Sequence, residues 1–163
     1  MRNYDECRCY VEHLLAEHRR IHRMLRQARA AIVACGGPDR DATGLDVVRV
    51  LRQVRAELAH HFTQEEGGGC LDEAVSRCPS LSAECRRIEA EHPQLLVNLD
   101  RLIAQALDCD QSVETLVTLG REFDDLCRQL DAHEAAENAL LRKGFGVNVN
   151  GGEEVQSTPS HVV

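Results

Sequence analysis

Leu51-Arg52-Gln53-Val54-Arg55-Ala56-Glu57-Leu58-Ala59-His60-His61-Phe62-Thr63-Gln64-Glu65-Glu66 carries the pattern on which the reading of the chain turns. Leu51, Val54 and Leu58 recur at the three- and four-residue spacing of one helix face, and the same stripe then runs through His61 and Glu65. The next-door His60 lies about 100° around the helix and points elsewhere. A helix that turns an imidazole and a carboxylate to the side of its leucines directs them into a core. The run extends from Thr43 through Val47/Val48 to Phe62 and breaks at Gly67-Gly68-Gly69.

Three more segments have the same period. Residues 6–34 place Val11, Leu14/Leu15, Ile21, Leu25, Ala28 and Ile32 on one face and stop at Gly36-Gly37-Pro38. After a short periodic piece over 70–80, Pro79 suits the first turn of a third helix carrying Leu81, Cys85, Ile88, Leu95/Leu96, Leu99 and Leu102/Ile103. Pro93 lies inside it, and a proline there leaves a carbonyl unpaired, so the helix is predicted to kink or split near 89–93. The fourth run, 111–143, carries Val113, Leu116/Val117, Phe123, Leu126/Cys127, Leu130 and Leu140/Leu141 and is predicted to end at Gly144. Long helices with a short first connection favour antiparallel neighbours. The expectation is an all-α, up-down-up-down four-helix bundle over 1–143, followed by a disordered tail over 144–163, where no period and little apolar surface remain.

Composition agrees. With 3% aromatic residues and no Trp in 163, a strand sandwich or a base-stacking surface is unlike this chain, and its breaks fall in a few Gly and Pro clusters. The formal net charge of −8 argues against nucleic acid and anionic membranes as partners, since both require a basic surface. No stretch has the length of apolar sequence that a membrane span requires, and Met1-Arg2-Asn3-Tyr4-Asp5-Glu6-Cys7 lacks a signal-peptide core, so a cytoplasmic protein is expected. Eight cysteines without a C-x-x-C pair then read as free thiols, with Cys85 and Cys127 in or beside the core and Cys70 and Cys78 as the reactive ones. The run Arg19, Arg20, Arg23, Arg26 and Arg29 reads as the outer face of the first helix.

The polar interruptions of the stripes are the chemical signal. The first stripe passes through His18, the second through His61 and Glu65, the third through His92 and the fourth through His133 and Glu137. Every helix aims one imidazole inward, and two add a carboxylate one turn later. A buried carboxylate costs several kcal/mol unless it is paired or bound to metal, so two of them among four imidazoles need a shared neutraliser. A metal centre supplies it. In H-x-x-x-E the two side chains stand one turn apart, so the imidazole binds one ion while the carboxylate reaches a second. Nitrogen and oxygen donors without thiolate suit iron or manganese, and zinc is also compatible. His22, one turn after His18, is either a further ligand or lies just outside the set. Glu66 and Glu134, beside the ligands, either accept from imidazole N–H groups or are solvated. His13, His60 and His161 face solvent.

The set Glu17-His18, His61-Phe62-Thr63-Gln64-Glu65-Glu66, Glu91-His92-Pro93 and His133-Glu134-Ala135-Ala136-Glu137 resembles the pattern of the hemerythrin-like family over about residues 8–143. The resemblance implies two iron ions bridged by an oxygen atom and by Glu65 and Glu137, with His18, His61, His92 and His133 as terminal ligands. The oxygen-carrying members have a second histidine where this chain has Leu96, and an aspartate where Glu137 stands. Four histidines in place of five imply a more open centre than reversible oxygen carriage uses. The implied role is binding of O2 or a related small oxidant, peroxide or nitrogen oxide as sensor, store or scavenger. The alternatives are a peroxide or nitric oxide reductase, an enzyme of the iron–sulfur repair type, and an iron-holding interaction bundle. No F-box, chemotaxis or repair-specific amino-terminal domain is attached, which implies a stand-alone bundle.

Overall fold

The structure, a computed structural model, describes residues 4–37, 42–109 and 112–146. It is all-helical, with no strand among those residues: α1 Tyr4–Gly36, α2 Gly44–Glu66, α3 Cys70–Arg77, a 3-10 turn Pro79–Leu81, α4 Ser82–Glu89, α5 His92–Leu107 and α6 Val113–Phe145. None of the helices is long and apolar enough to cross a membrane. At 33 residues each, α1 and α6 are about 50 Å long and set the length of the bundle.

Local chemistry explains where the helices begin. Thr43 caps α2 reciprocally with Asp46: its hydroxyl accepts from the Asp46 amide, and the Asp46 carboxylate accepts from the Thr43 amide. Ser112 accepts from the Thr115 amide at the start of α6. The split expected near 89–93 falls between Glu89 and His92, where Pro93 takes a first-turn position of α5 that needs no amide. Pro79 opens the 3-10 turn that leads into α4, so the third helix of the sequence pattern is three pieces.

Helix α6 runs two residues past the predicted stop. Its left-handed cap is Gly146, at φ 65°, and not Gly144. Gly144 has another task. A Cβ built on it would stand 2.5 Å from Ala74 Cβ, so the missing side chain lets α6 lie directly against α3. The tail expected over 144–163 lies, from residue 147 on, outside the described residues.

Contacts that cross between helices run in opposite senses at every corner. Glu17 meets His61 and Arg20 meets Glu57; Glu66 meets His92 and Arg55 meets Asp100. Glu91 meets His133 and Gln105 meets Glu122; His22 meets Glu134 and Arg29 meets Asp124. The pairs α1/α2, α2/α5, α5/α6 and α6/α1 are therefore each antiparallel. Helices α3 and α4 pack against α6 as a cap at one end.

The core has two parts. A long apolar cluster, including Ile21, Leu51, Leu58, Leu99, Leu119 and Leu130, fills the bundle toward the end where α1 finishes and α2 begins. A smaller one joins Val11, Leu14, Leu140 and Leu141 to Leu71, Ala74, Leu81, Cys85 and Ile88 of the cap. Val113 and Val117, predicted to face inward, are exposed. The inward stripe of α6 runs through Leu116, Leu119 and Phe123; Val117 is one residue, about 100°, off it, and Val113 begins the helix at the bundle's end.

Candidate metal centre

Between the two apolar clusters lie His18, His61, Glu65, His92, His133 and Glu137. They are the buried polar residues of the described chain, none more than 4% exposed. The helical period accounts for this: each sits on the stripe that buries the leucines and isoleucines of its own helix, the histidines and Glu137 one turn from Leu14 and Ile21, Leu58, Leu95, Leu130 or Leu140, and Glu65 one turn beyond His61.

The six form two overlapping quartets of donors. In one, a donor atom from each of His18, His61, Glu65 and Glu137 lies within 4.8 Å of the others; in the second, the same holds for Glu65, His92, His133 and Glu137. Both carboxylates belong to both quartets. The four Nε2 atoms turn inward: His18 Nε2 is 3.2 Å and His133 Nε2 2.8 Å from Glu137, and His61 and His92 Nε2 are 3.6 and 3.4 Å from Glu65. The His18 and His61 Nε2 atoms face each other at 3.2 Å.

The outward nitrogens are held by a second set of carboxylates. His61 Nδ1 donates to Glu17 at 3.1 Å, His92 Nδ1 to Glu66 at 2.8 Å and His133 Nδ1 to Glu91 at 2.9 Å. An Nδ1–H held this way leaves the Nε2 lone pair of a neutral ring free and directed, the arrangement typical of metal-ligating histidines. Glu134 occupies the fourth corner, where it accepts from His22 Nε2 at 2.8 Å and stands 3.9 Å from His18 Nδ1. The carboxylates thus circle the bundle: α1 holds the imidazole of α2, α2 that of α5, α5 that of α6, and α6 reaches back to α1.

Helix geometry explains the common sense of this circle. Glu17, in α1, and Glu91, the residue at the N-cap of α5, each precede an inward histidine by one residue. Glu66 and Glu134 each follow an inward residue by one, on α2 and α6, which run the other way. Stepping back on one helix and forward on an antiparallel one rotates a side chain in the same sense when viewed down the bundle.

Phe62 completes the wall on the side of the long core. Its ring stacks on His92 at 4.0 Å and 4° between planes, and meets His133 edge-on. His22 is half-exposed and belongs to neither quartet. His13 and His60 are exposed, and His161 lies outside the described residues.

A bound cation fits this donor set. Both oxygens of Glu65 and of Glu137, and Nε2 of His92 and of His133, are buried without a hydrogen-bond partner, although the inward pairs are close. Leaving such atoms unsatisfied costs on the order of 1–3 kcal/mol each, more when charged, so the cluster calls for a positive centre among them. Protons are the other source of positive charge. Burial opposes charging His133, but the hydrogen bond and charge of Glu137, with help from Glu91, hold its pKa at about 9. The pKa values of His18 and His92 are raised despite burial, through Glu137 and Glu65 respectively. Burial pushes Glu65 up, whereas for Glu137 the bonds from His133 and His18 overcome burial and hold it well below the carboxylate range. The buried groups can hold a metal ion, or protons in its place.

Cys70 corrects an expectation. Read as a reactive thiol in a connection, it is buried at the start of α3 among the residues of the cap. Burial, aided by the charges of Glu65 and Glu137, pushes its pKa up to about 12, so it is a protonated core group. Cys78 is half-buried beside Ser80. Cys85 is buried as expected and Cys127 packs partly against the long core.

Comparison of the chain with protein-family models, with curated proteins and with solved structures gives no match.

Proposed function

We propose that the protein is a hemerythrin-like, up-down-up-down four-helix bundle whose six buried residues hold two iron ions. The observation that carries the reading is that Glu65 and Glu137 each belong to both donor quartets, the geometry of bridging carboxylates. His18 and His61 are then the terminal ligands of one ion, and His92 and His133 those of the other. Two carboxylates and four neutral imidazoles, without thiolate, suit iron or manganese, and zinc is chemically compatible. Such a pair of ions would supply reversible electron transfer and open coordination for a small ligand.

The chain's own residues set the ligand class. The site lies between two apolar clusters and its donors are almost wholly removed from water, which favours small uncharged molecules such as O2, nitric oxide or hydrogen peroxide over ions. Glu17, Glu66 and Glu91 fix the imidazole tautomers, and Phe62 fixes the plane of His92. Cys70 holds its proton and is no ready thiolate donor, so we read ligand binding, as sensor, store or scavenger, ahead of reductive turnover. The test is metal analysis and absorption of protein loaded with ferrous iron and then exposed to air. The expected result is a pair of irons per chain and a near-ultraviolet charge-transfer band that the zinc-loaded chain lacks. Protein that takes up neither iron nor manganese would refute the reading.

A further inference from the structure

The circle of outer carboxylates is closed at three corners and open at the fourth. His61, His92 and His133 each give Nδ1 to a carboxylate at 2.8–3.1 Å. His18 alone does not: its Nδ1 is 3.9 Å from Glu134 Oε2, and that same oxygen accepts from His22 Nε2 at 2.8 Å. His22 stands one turn beyond His18 on the same face of α1, with a side chain 36% exposed. His13 also meets an outer carboxylate from outside both quartets, but it takes Glu17 Oε1 at 3.3 Å and leaves Oε2 to His61, whereas His22 takes the very oxygen of Glu134 that stands nearest His18.

We infer that the two metal positions are unequal, and that the one formed with His18 and His61 is the exchangeable position because His22 draws Glu134 away from His18. This rests on the dinuclear reading above. A carboxylate on the outer nitrogen orients a metal-bound imidazole and raises its basicity, and losing one such partner lowers metal affinity by about 10- to 100-fold. The position served by His92 and His133 has both partners in place and fills first. The position served by His18 and His61 has one, on His61, while the outer nitrogen of His18 has no carboxylate within hydrogen-bond distance. His22 is therefore a positioning residue of negative sign, which keeps one ion weakly held and open to exchange at the solvent-facing corner between α1 and α6.

The experiment uses the whole chain loaded anaerobically with ferrous iron and challenged with a colorimetric iron chelator. Wild type is expected to release its iron in two phases of equal amplitude. In His22→Ala, Glu134 is free to accept from His18, and the fast phase should slow by about 10-fold or more. Glu134→Gln should leave the fast phase at least as fast as in wild type, and His18→Ala should remove that phase while keeping the slow one. His22 is half-exposed, and helical circular dichroism matching wild type shows that its variant folds. If wild type retains one ion and His22→Ala retains two, the inference is likewise supported. Release of both ions in one phase, or a fast phase unchanged by His22→Ala, overturns the inference while leaving the dinuclear reading intact; wild type that binds no iron overturns the reading itself.

Discussion

The two ends of this bundle are held together by different physics. Toward the α1/α2 turn, Val47, Leu51, Val54, Leu99, Leu119 and Phe123 are buried against one another, and the buried residues of the long cluster include no histidine, carboxylate, lysine or arginine. Toward the cap, the same four helices converge on four imidazoles and two carboxylates, and the inward atoms of Glu65, Glu137, His92 and His133 lack hydrogen bonds. Burial of apolar surface stabilises the first region outright. The second region contributes fully only when something positive occupies it, so its stability belongs jointly to the chain and to what it binds.

A crossed pair of substitutions tests that contrast most severely. Leu99→Ala, at a fully buried position in the long cluster, should cost about 2–5 kcal/mol of unfolding free energy and leave iron stoichiometry unchanged. Glu137→Ala should do the reverse: iron binding as a pair is lost, and so is the gain in thermal stability that iron gives wild type. Denaturation with and without iron, beside metal analysis, reads both. A Leu99→Ala chain that folds but no longer binds iron would show that the two ends are not separable.

The next effect is in pH. The folded pKa of His133, about 9, lies above its ordinary value of 6.5, so protonation stabilises the metal-free fold fully below about 6.5, and this contribution disappears as pH rises through 9. Raised values for His18 and His92 act in the same direction. Metal competes with those protons. The melting temperature of the metal-free chain should fall between pH 6.5 and 9 while the increment due to iron grows, and a His133→Leu chain should lose most of that slope. At pH 4 the loaded chain should give up its iron. A metal-free melting temperature that rises over pH 6.5 to 9 would contradict the assignment.

The smallest effect lies at the far end. Thr43→Ala removes the side-chain half of the α2 cap and should cost about 1 kcal/mol, equally with and without iron. A loss that depended on iron would mean that the cap is coupled along α2 to Glu65.

How much of this was legible in the sequence follows from what each feature depends on. The six inward residues depend only on helical phase within one segment, and the period places His61 and Glu65 on the Leu51–Leu58 stripe whatever packs against it. The split at Pro93 is equally local. The work of Glu17 and Glu91 depends on how neighbouring helices are rotated against each other, which no single segment encodes. Their one signal is position: each stands a residue before an inward histidine and so points at the adjoining helix. Glu66 and Glu134 left two readings open for the same reason, since one residue off a stripe is both an edge and a surface. Cys70 misled because a Gly-rich connection reads as exposed, whereas α3 folds back over the end of the bundle. Gly144 misled because a glycine late in a helix suggests its end, and here its missing side chain serves a contact with Ala74 far away in sequence.

Phe62 lends the centre a property measured in time. Its ring lies flat on His92 and edge-on to His133 while it is itself packed in the long core. For the His92 imidazole to turn over and exchange its two nitrogens, the phenyl ring must move, and close-packed core neighbours must move with it. An exposed imidazole reorients in picoseconds to nanoseconds; this one waits for the core to open. The hydrogen bond to Glu66 and the inward lone pair are thus kept on the same atoms between one such opening and the next, and a ligand that comes and goes faster than that meets the same donor each time.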